Sequence, residues 1–139
     1  MRISTKGQYA IRMMLDIATN YSGDPVRLKD IARRQDISDK YLEQIISILN
    51  KAGFVRSVRG PMGGYSLAKE PSEYTVGMIL RLTEGSLAPV DYENSSAEQE
   101  SVTNILWKKM SDAIDSVVDN ITLEDLLNWQ EAQTNDYVI

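Results

Sequence analysis

The sequence predicts a mainly α fold with one small β-hairpin, and three observations predict it. Apolar residues recur at helical spacing through most of the chain. Two helical stretches in the first half are separated by the short turn "QDIS", residues 35–38. A glycine-rich tip, "RGPMGG" at residues 59–64, then lies between two short runs that alternate apolar and polar residues. Two helices joined by a tight turn and followed at once by a hairpin make a winged helix-turn-helix.

The first helix is expected from about Thr5 to Tyr21, with Ala10, Met13, Met14, Ile17, Ala18 and Tyr21 on one face. "SGDP" breaks it. A short second helix, Leu28 to Arg34, buries Leu28, Ile31 and Ala32. Ser38 suits an N-cap, and Asp39 sits at the positive end of the helix dipole. The third helix runs from there to Ala52, where Gly53 stops it as the C′ residue. Its Leu42, Ile45, Ile46 and Leu49 point into a core, while Lys40, Glu43, Gln44, Ser47 and Lys51 point away. A merely solvated helix has the same pattern. Behind a basic helix-turn, the polar face also suits DNA. Gln and Ser hydrogen-bond base edges, Glu accepts from a cytosine amino group, and Lys reaches phosphates.

"FVRSV" and "YSLA" are the two strands of the hairpin. A phosphate-binding loop is excluded at its tip, because no Gly-Lys-Ser/Thr is present and no helix starts after the glycines. A wing tip can lie along a minor groove, where a lone arginine meets the strongest negative potential. Arg59 is placed for that, and Gly60 lets the backbone pass close to the sugar–phosphate wall. A surface arginine on a flexible turn is the plain alternative.

Beyond Pro71 a fourth helix is expected from about Thr75 to Thr83, ending near Gly85. "DYENSSAEQES" is polar and acidic, and reads as a mobile loop. A long helix follows, roughly Ser101 to Asn120, with Val102, Ile105, Leu106, Met110, Ala113, Ile114, Val117 and Val118 along one broad side. Thr122 with Asp125 forms a capping-box-like start for the last helix, "LEDLLNWQEA". The long helix is too apolar to stay bare. Pairing with its twin through Val102, Leu106, Met110, Ile114, Val117 and Val118 is the expected solution, with intrachain packing as the alternative. The expected division is a winged-helix DNA-binding domain over 1–72 and a dimerisation and effector region over 73–139. The latter includes the acidic loop at about 91–100 and a C-terminal tail at 134–139.

Charge is distributed unevenly. Residues 1–69 carry +6 and residues 70–139 carry −11, giving the net −5. A basic first half is what phosphate binding needs. There is no cysteine and no histidine, so disulfides, thiolate-held zinc, cysteine-ligated iron–sulfur clusters and Ser–His or Cys–His catalysis are excluded. No cofactor, no metal site and no enzymatic activity are expected. No apolar run is long enough for a membrane span, and the N-terminus reads as an amphipathic helix rather than a signal peptide. No membrane association and a cytoplasmic location are the expectation.

Three blocks carry a resemblance: "MRISTKGQYAIRMMLDIA", "SDKYLEQIISILNKAGFVRSVRGPMGGYSLAKEP" and "LTEGSLAPV". On these the chain resembles the Rrf-two family of bacterial winged-helix transcription regulators, over essentially its whole length. The resemblance implies a winged helix with a long dimerisation helix, acting as a homodimer on operator DNA. It implies that Ser38, Glu43 and Gln44 face the major groove, that Arg59 enters the minor groove, and that Arg2 and Lys6 contact phosphates. Ser4, Lys40, Tyr41, Ser47, Arg56 and Gly60 complete the expected DNA-binding set.

Many members carry three cysteines after the fourth helix and hold an iron–sulfur cluster there. In this chain that region, Leu87 to Glu100, has none, so cluster sensing is not carried over. "LWKKMSDAIDSVVDNITLEDL" and the ending "DYVI" are similar to the cluster-free branch that represses cysteine metabolism. In that branch, cysteine synthase binds the repressor and raises its hold on DNA, and the enzyme accepts C-terminal peptides ending in isoleucine. The resemblance therefore implies a partner-binding tail of Tyr137, Val138 and Ile139. A free carboxylate on an apolar tail suits a site built for an amino-acid carboxylate, and a frayed terminus fits the residues equally well.

The expected function is thus a homodimeric repressor of cysteine or sulfur metabolism genes acting on a dyad of double-stranded DNA. The alternatives are the same fold with a small-molecule or redox input, and a winged-helix module that docks on protein.

Overall fold

The computed structural model describes residues 2–90 and 101–138. The expected acidic loop at 91–100 and the terminal Ile139 lie outside the described residues. Among the described residues, six α-helices, one 3-10 turn and one two-stranded antiparallel sheet are formed.

Helix α1 (Thr5–Thr19) is capped by Ser4, whose hydroxyl accepts from the Gly7 N–H. It ends before Tyr21, short of the expectation. The N–H of Asn20 turns back to the carbonyls of Ile17 and Ala18, and the Asn20 amide then holds the Asp24 carbonyl at 2.7 Å. Tyr21 is consequently exposed rather than part of the buried face. Helix α2 (Leu28–Gln35) closes on Asp36, which takes the left-handed conformation at φ 53°. Aspartate tolerates that conformation better than most residues. Helix α3 (Asp39–Lys51) starts as expected, with the Tyr41 N–H donating to the Ser38 hydroxyl at 3.3 Å. Gly53 follows it at φ 77°, a conformation glycine adopts without a Cβ penalty.

The wing consists of β1 (Val55–Val58) and β2 (Gly64–Leu67), paired from Val55 opposite Leu67 to Val58 opposite Gly64. Val26, in the segment before α2, adds a bridge to the outer edge of the hairpin. It exchanges two 2.8 Å backbone hydrogen bonds with Tyr65.

A 3-10 turn at Pro71–Glu73, unforeseen in the sequence, leads to Tyr74 and then to α4 (Val76–Glu84), capped by Thr75. Helix α5 (Val102–Val118) is capped by Ser101. Helix α6 (Leu123–Val138) opens on the expected reciprocal pair. The Thr122 N–H donates to the Asp125 carboxylate at 2.9 Å, and the Asp125 N–H to the Thr122 hydroxyl at 3.1 Å. Residues 134–138, expected as a tail, continue α6 instead. No glycine or proline interrupts the chain there, and the Thr134 hydroxyl donates to the Gln130 carbonyl one turn back.

One buried cluster joins α1, α2, α3, β1 and β2 with Tyr74, Ile79 and Leu123, so the core runs on across the expected boundary at residue 72. Tyr74 is its polar anchor. Its hydroxyl donates to the Phe54 carbonyl at 2.7 Å and accepts from the Lys69 N–H at 3.0 Å. Burial pushes the phenol pKa up, against the lowering effect of the Lys69 N–H. The Phe54 ring meets Tyr74 edge-on at 5.5 Å. These contacts tie the base of the wing to the segment entering α4.

Helix α5 is held to the body at its C-terminal end. Arg81 of α4 donates to Asp119 at 2.6 and 3.1 Å and to Asp115 at 2.8 Å. The Asp119 hydrogen bond, followed by that to Asp115, raises the guanidinium pKa above its ordinary value, and Arg81 in turn lowers that of Asp119. Gly77 leaves room for this clamp: a Cβ there would lie 2.1 Å from the Asp119 carboxylate and would push the Asp119 and Arg81 side chains aside.

Candidate nucleic-acid interface

Helix α3 presents two faces because its apolar residues recur at helical spacing. Leu42, Ile45, Ile46 and Leu49 are buried, and Lys40, Glu43, Gln44, Ser47 and Lys51 are all exposed. Ser38 is exposed at its N-terminus, with its oxygen used as the cap acceptor and its hydroxyl hydrogen left to donate outwards.

The start of the chain is brought beside α3. Arg2, Ser4 and Lys6 share a cleft of about 530 Å³ with Tyr41, Glu84 and Ser86. Tyr41 is half-buried, its ring edge-on to Tyr9 at 5.2 Å. Both sides of the Ser4 hydroxyl are engaged, since it accepts from the Gly7 N–H and donates to Glu84 at 2.7 Å. The Ser4 N–H donates to the same carboxylate. Burial alone would push the Glu84 carboxyl up. The Ser4 N–H and O–H, Thr83 and the Lys6 charge outweigh it, and the net shift is downward. Glu84 therefore fixes the entry to α1 and the position of Arg2 and Lys6 on either side of Ser4.

The wing forms a separate group. Arg59 and Gly60 are exposed at the tip, and Gly60 takes φ 108°. The Gly63 N–H closes the tip on the Gly60 carbonyl at 2.9 Å. A Cβ on Gly63 would lie 2.2 Å from the Val58 carbonyl oxygen, so only glycine fits this turn. Arg56 bends the other way, donating to the Ala68 carbonyl at 3.0 Å at the base of the hairpin.

Three long-range side-chain contacts that hold the surrounding elements together escaped the sequence. Arg12 donates to the side chain and carbonyl of Gln35 at the end of α2 and lies over the Tyr9 ring. Arg34 and Gln35 hold the buried Asp16 carboxylate. Glu84 holds Ser4. Each pairs residues from different elements, and no local pattern marks such a pair.

On α5, Val102 is 82% exposed, and Ile105, Leu106, Met110 and Val117 are also exposed, while Ile114 and Val118 are half-buried. Ile3, Leu80, Leu87, Ile114, Val117 and Val118 line an apolar groove of about 400 Å³ beside it. The side chains of Tyr137 and Val138 lie outside the description. No helix among the described residues is long and apolar enough to cross a membrane.

Comparison with known proteins agrees with this architecture. The family described as Rrf2, iron-dependent transcriptional regulator, matches residues 3–129. The HTH-type transcriptional regulator CymR of Bacillus subtilis (strain 168) is 39% identical over 138 residues, covering 99% of this chain and 98% of that protein. The solved structure of CymR, described as the global cysteine regulator of B. subtilis, superposes with a TM-score of 0.80 at 40% identity, over 93% of this chain and 98% of that one. The structure of T. potens IscR matches with a TM-score of 0.80 at 47% identity, over 96% of this chain and 91% of that one.

Proposed function

This chain belongs to the Rrf2 family of DNA-binding transcriptional regulators, and on that premise we propose that it works as a homodimeric repressor on a dyad operator of cysteine and sulfur metabolism genes. The observation that carries the DNA reading is the exposed polar face of α3 beside the basic start of α1 and a glycine-shaped wing. In this reading Ser38, Glu43, Gln44 and Ser47 meet base edges, Lys40 and Tyr41 flank them, and Arg2 and Lys6 neutralise phosphates. Arg59 enters the minor groove. The two reading heads are paired by α5, whose exposed apolar residues await cover. Ser4 and Arg56 act through position: Ser4 by capping α1, and Arg56 by bracing the base of the wing.

The sulfur assignment is supported by the match to CymR along almost the whole of both chains. Iron dependence, named in the family description, does not suit the residues of this chain. It has no cysteine or histidine, and among the described residues no three potential ligands cluster. The signal then enters through a protein partner, cysteine synthase, engaging Tyr137, Val138 and Ile139. The test is selection of genomic fragments by the purified protein, with and without cysteine synthase of the same organism. Enrichment of a dyad upstream of cysteine genes, stronger with the enzyme, is expected. Enrichment of other promoters, indifferent to the enzyme, refutes the sulfur reading and its partner.

Two substitutions separate specific from general contacts. Arg59→Ala weakens operator binding by about 1–3 kcal/mol, the scale of one good groove contact, and leaves non-specific binding nearly unchanged. Lys6→Ala weakens binding to all sequences alike and flattens its salt dependence by about one charge. Titrations of operator and unrelated duplex at several salt concentrations check both.

A further inference from the structure

The wing tip has a third point of attachment that no sequence pattern marks. Besides the β1–β2 ladder and the turn closed by Gly63 on Gly60, the Arg27 guanidinium donates through Nη2 to the carbonyl of Pro61. Pro61 is at the centre of the tip, two residues beyond Arg59. Arg27 reaches it because the preceding residue is fastened to the hairpin. Val26 and Tyr65 exchange backbone hydrogen bonds, and Gly64 lies so close that a Cβ there would sit 2.4 Å from the Val26 carbonyl oxygen. The start of α2 and the edge of the wing therefore move as one piece. Arg27 is exposed, and its side chain does not cap α2. Among the described residues, the Pro61 carbonyl is the one hydrogen-bond partner of its side chain.

We propose that Arg27 is a positioning residue for DNA recognition, clamping the tip so that Arg59 is presented in one orientation. A glycine-rich turn left to itself samples many backbone states, and binding would have to select one of them. A charged donor on the Pro61 carbonyl removes that freedom before DNA arrives. The proposal rests on the reading of Arg59 as the wing's DNA contact. The rival role for Arg27 is a direct phosphate contact.

A double-mutant cycle with the full chain decides between them, using the selected operator and an unrelated duplex. The proteins are the parent, Arg27→Ala, Arg59→Ala and the double variant, with Arg27→Lys as the conservative change. Arg27→Ala is expected to lower operator affinity about 3–10-fold, with an unaltered salt slope and unaltered non-specific binding. In the Arg59→Ala background the same change is expected to have little effect, because the clamp acts through Arg59. Arg27→Lys, which keeps a cationic donor, is expected to recover part of the loss. Losses that add, with a salt slope smaller by about one, overturn the proposal and make Arg27 a phosphate contact. Unchanged operator affinity in Arg27→Ala also overturns it.

Amide exchange in the free protein keeps the two readings apart. Faster exchange at Gly63 in Arg27→Ala is expected whether or not Arg59 touches DNA. An unchanged rate there refutes the clamp, while a silent Arg59→Ala refutes the wing contact.

Discussion

If two chains pair through α5 on a dyad operator as proposed, Met110→Asp, alone or with Leu106→Asp, is expected to give a folded chain that sediments as a monomer and binds that operator about 10²–10⁴-fold more weakly. Both residues are exposed on α5, so a carboxylate there meets water in a single chain and costs the core nothing. In a pair it would be buried against apolar partners, where an unpaired charge is expensive. The loss on DNA follows because two linked heads bind at an effective concentration far above that of free protein, and separated heads forfeit this gain. Binding of the isolated head to a half-site should be unchanged, since α3 and the wing are untouched. Sedimentation with operator and half-site titrations checks the expectation. A variant that stays dimeric places the interface elsewhere.

The second large effect is on stability. The Asp16 side chain is 4% exposed and accepts from Arg34 at 3.1 and 2.6 Å and from Gln35 at 2.9 Å. Its hydrogen bond to Arg34 raises the guanidinium pKa, against the opposing effect of burial. Arg34→Ala leaves the carboxylate with Gln35 alone. Stranding a buried charge usually costs several kcal/mol. Here the Arg34 side chain is 46% exposed, so water already screens part of the pair, and a loss of about 2–3 kcal/mol is expected. For a chain of this size the melting temperature falls by roughly 6–12 °C. Asp16→Ala added to Arg34→Ala should restore part of that, because the stranded charge is gone. Thermal melts of the parent, both single variants and the double variant measure it. A single-variant loss under about 0.5 kcal/mol would mean that the pair does not join α1 to α2.

What could be read from the chain alone were the features written in local chemistry. Ser38, Thr122 with Asp125, and Gly53 announce helix ends because capping uses residues adjacent in sequence. The two faces of α3 follow from helical periodicity, and the wing from glycines between alternating runs. The end of α1 was misplaced because Tyr21 keeps the apolar spacing after the backbone has turned away at Asn20. The end of α6 was misplaced because polar residues without a breaker look alike as tail or helix.

By itself, then, the sequence determined the order of the six helices and the hairpin, the buried and exposed sides of α3 and the composition of the wing. Each depends on neighbours within a few residues. Only the tertiary structure decided that Glu84 grips Ser4, that Arg34 reaches Asp16, that Arg81 pins α5, and that Arg27 reaches Pro61. These pairs join elements far apart in the chain, and a long charged side chain has many possible partners. The packing of the helices and the wing against one core selects the partner that each one meets.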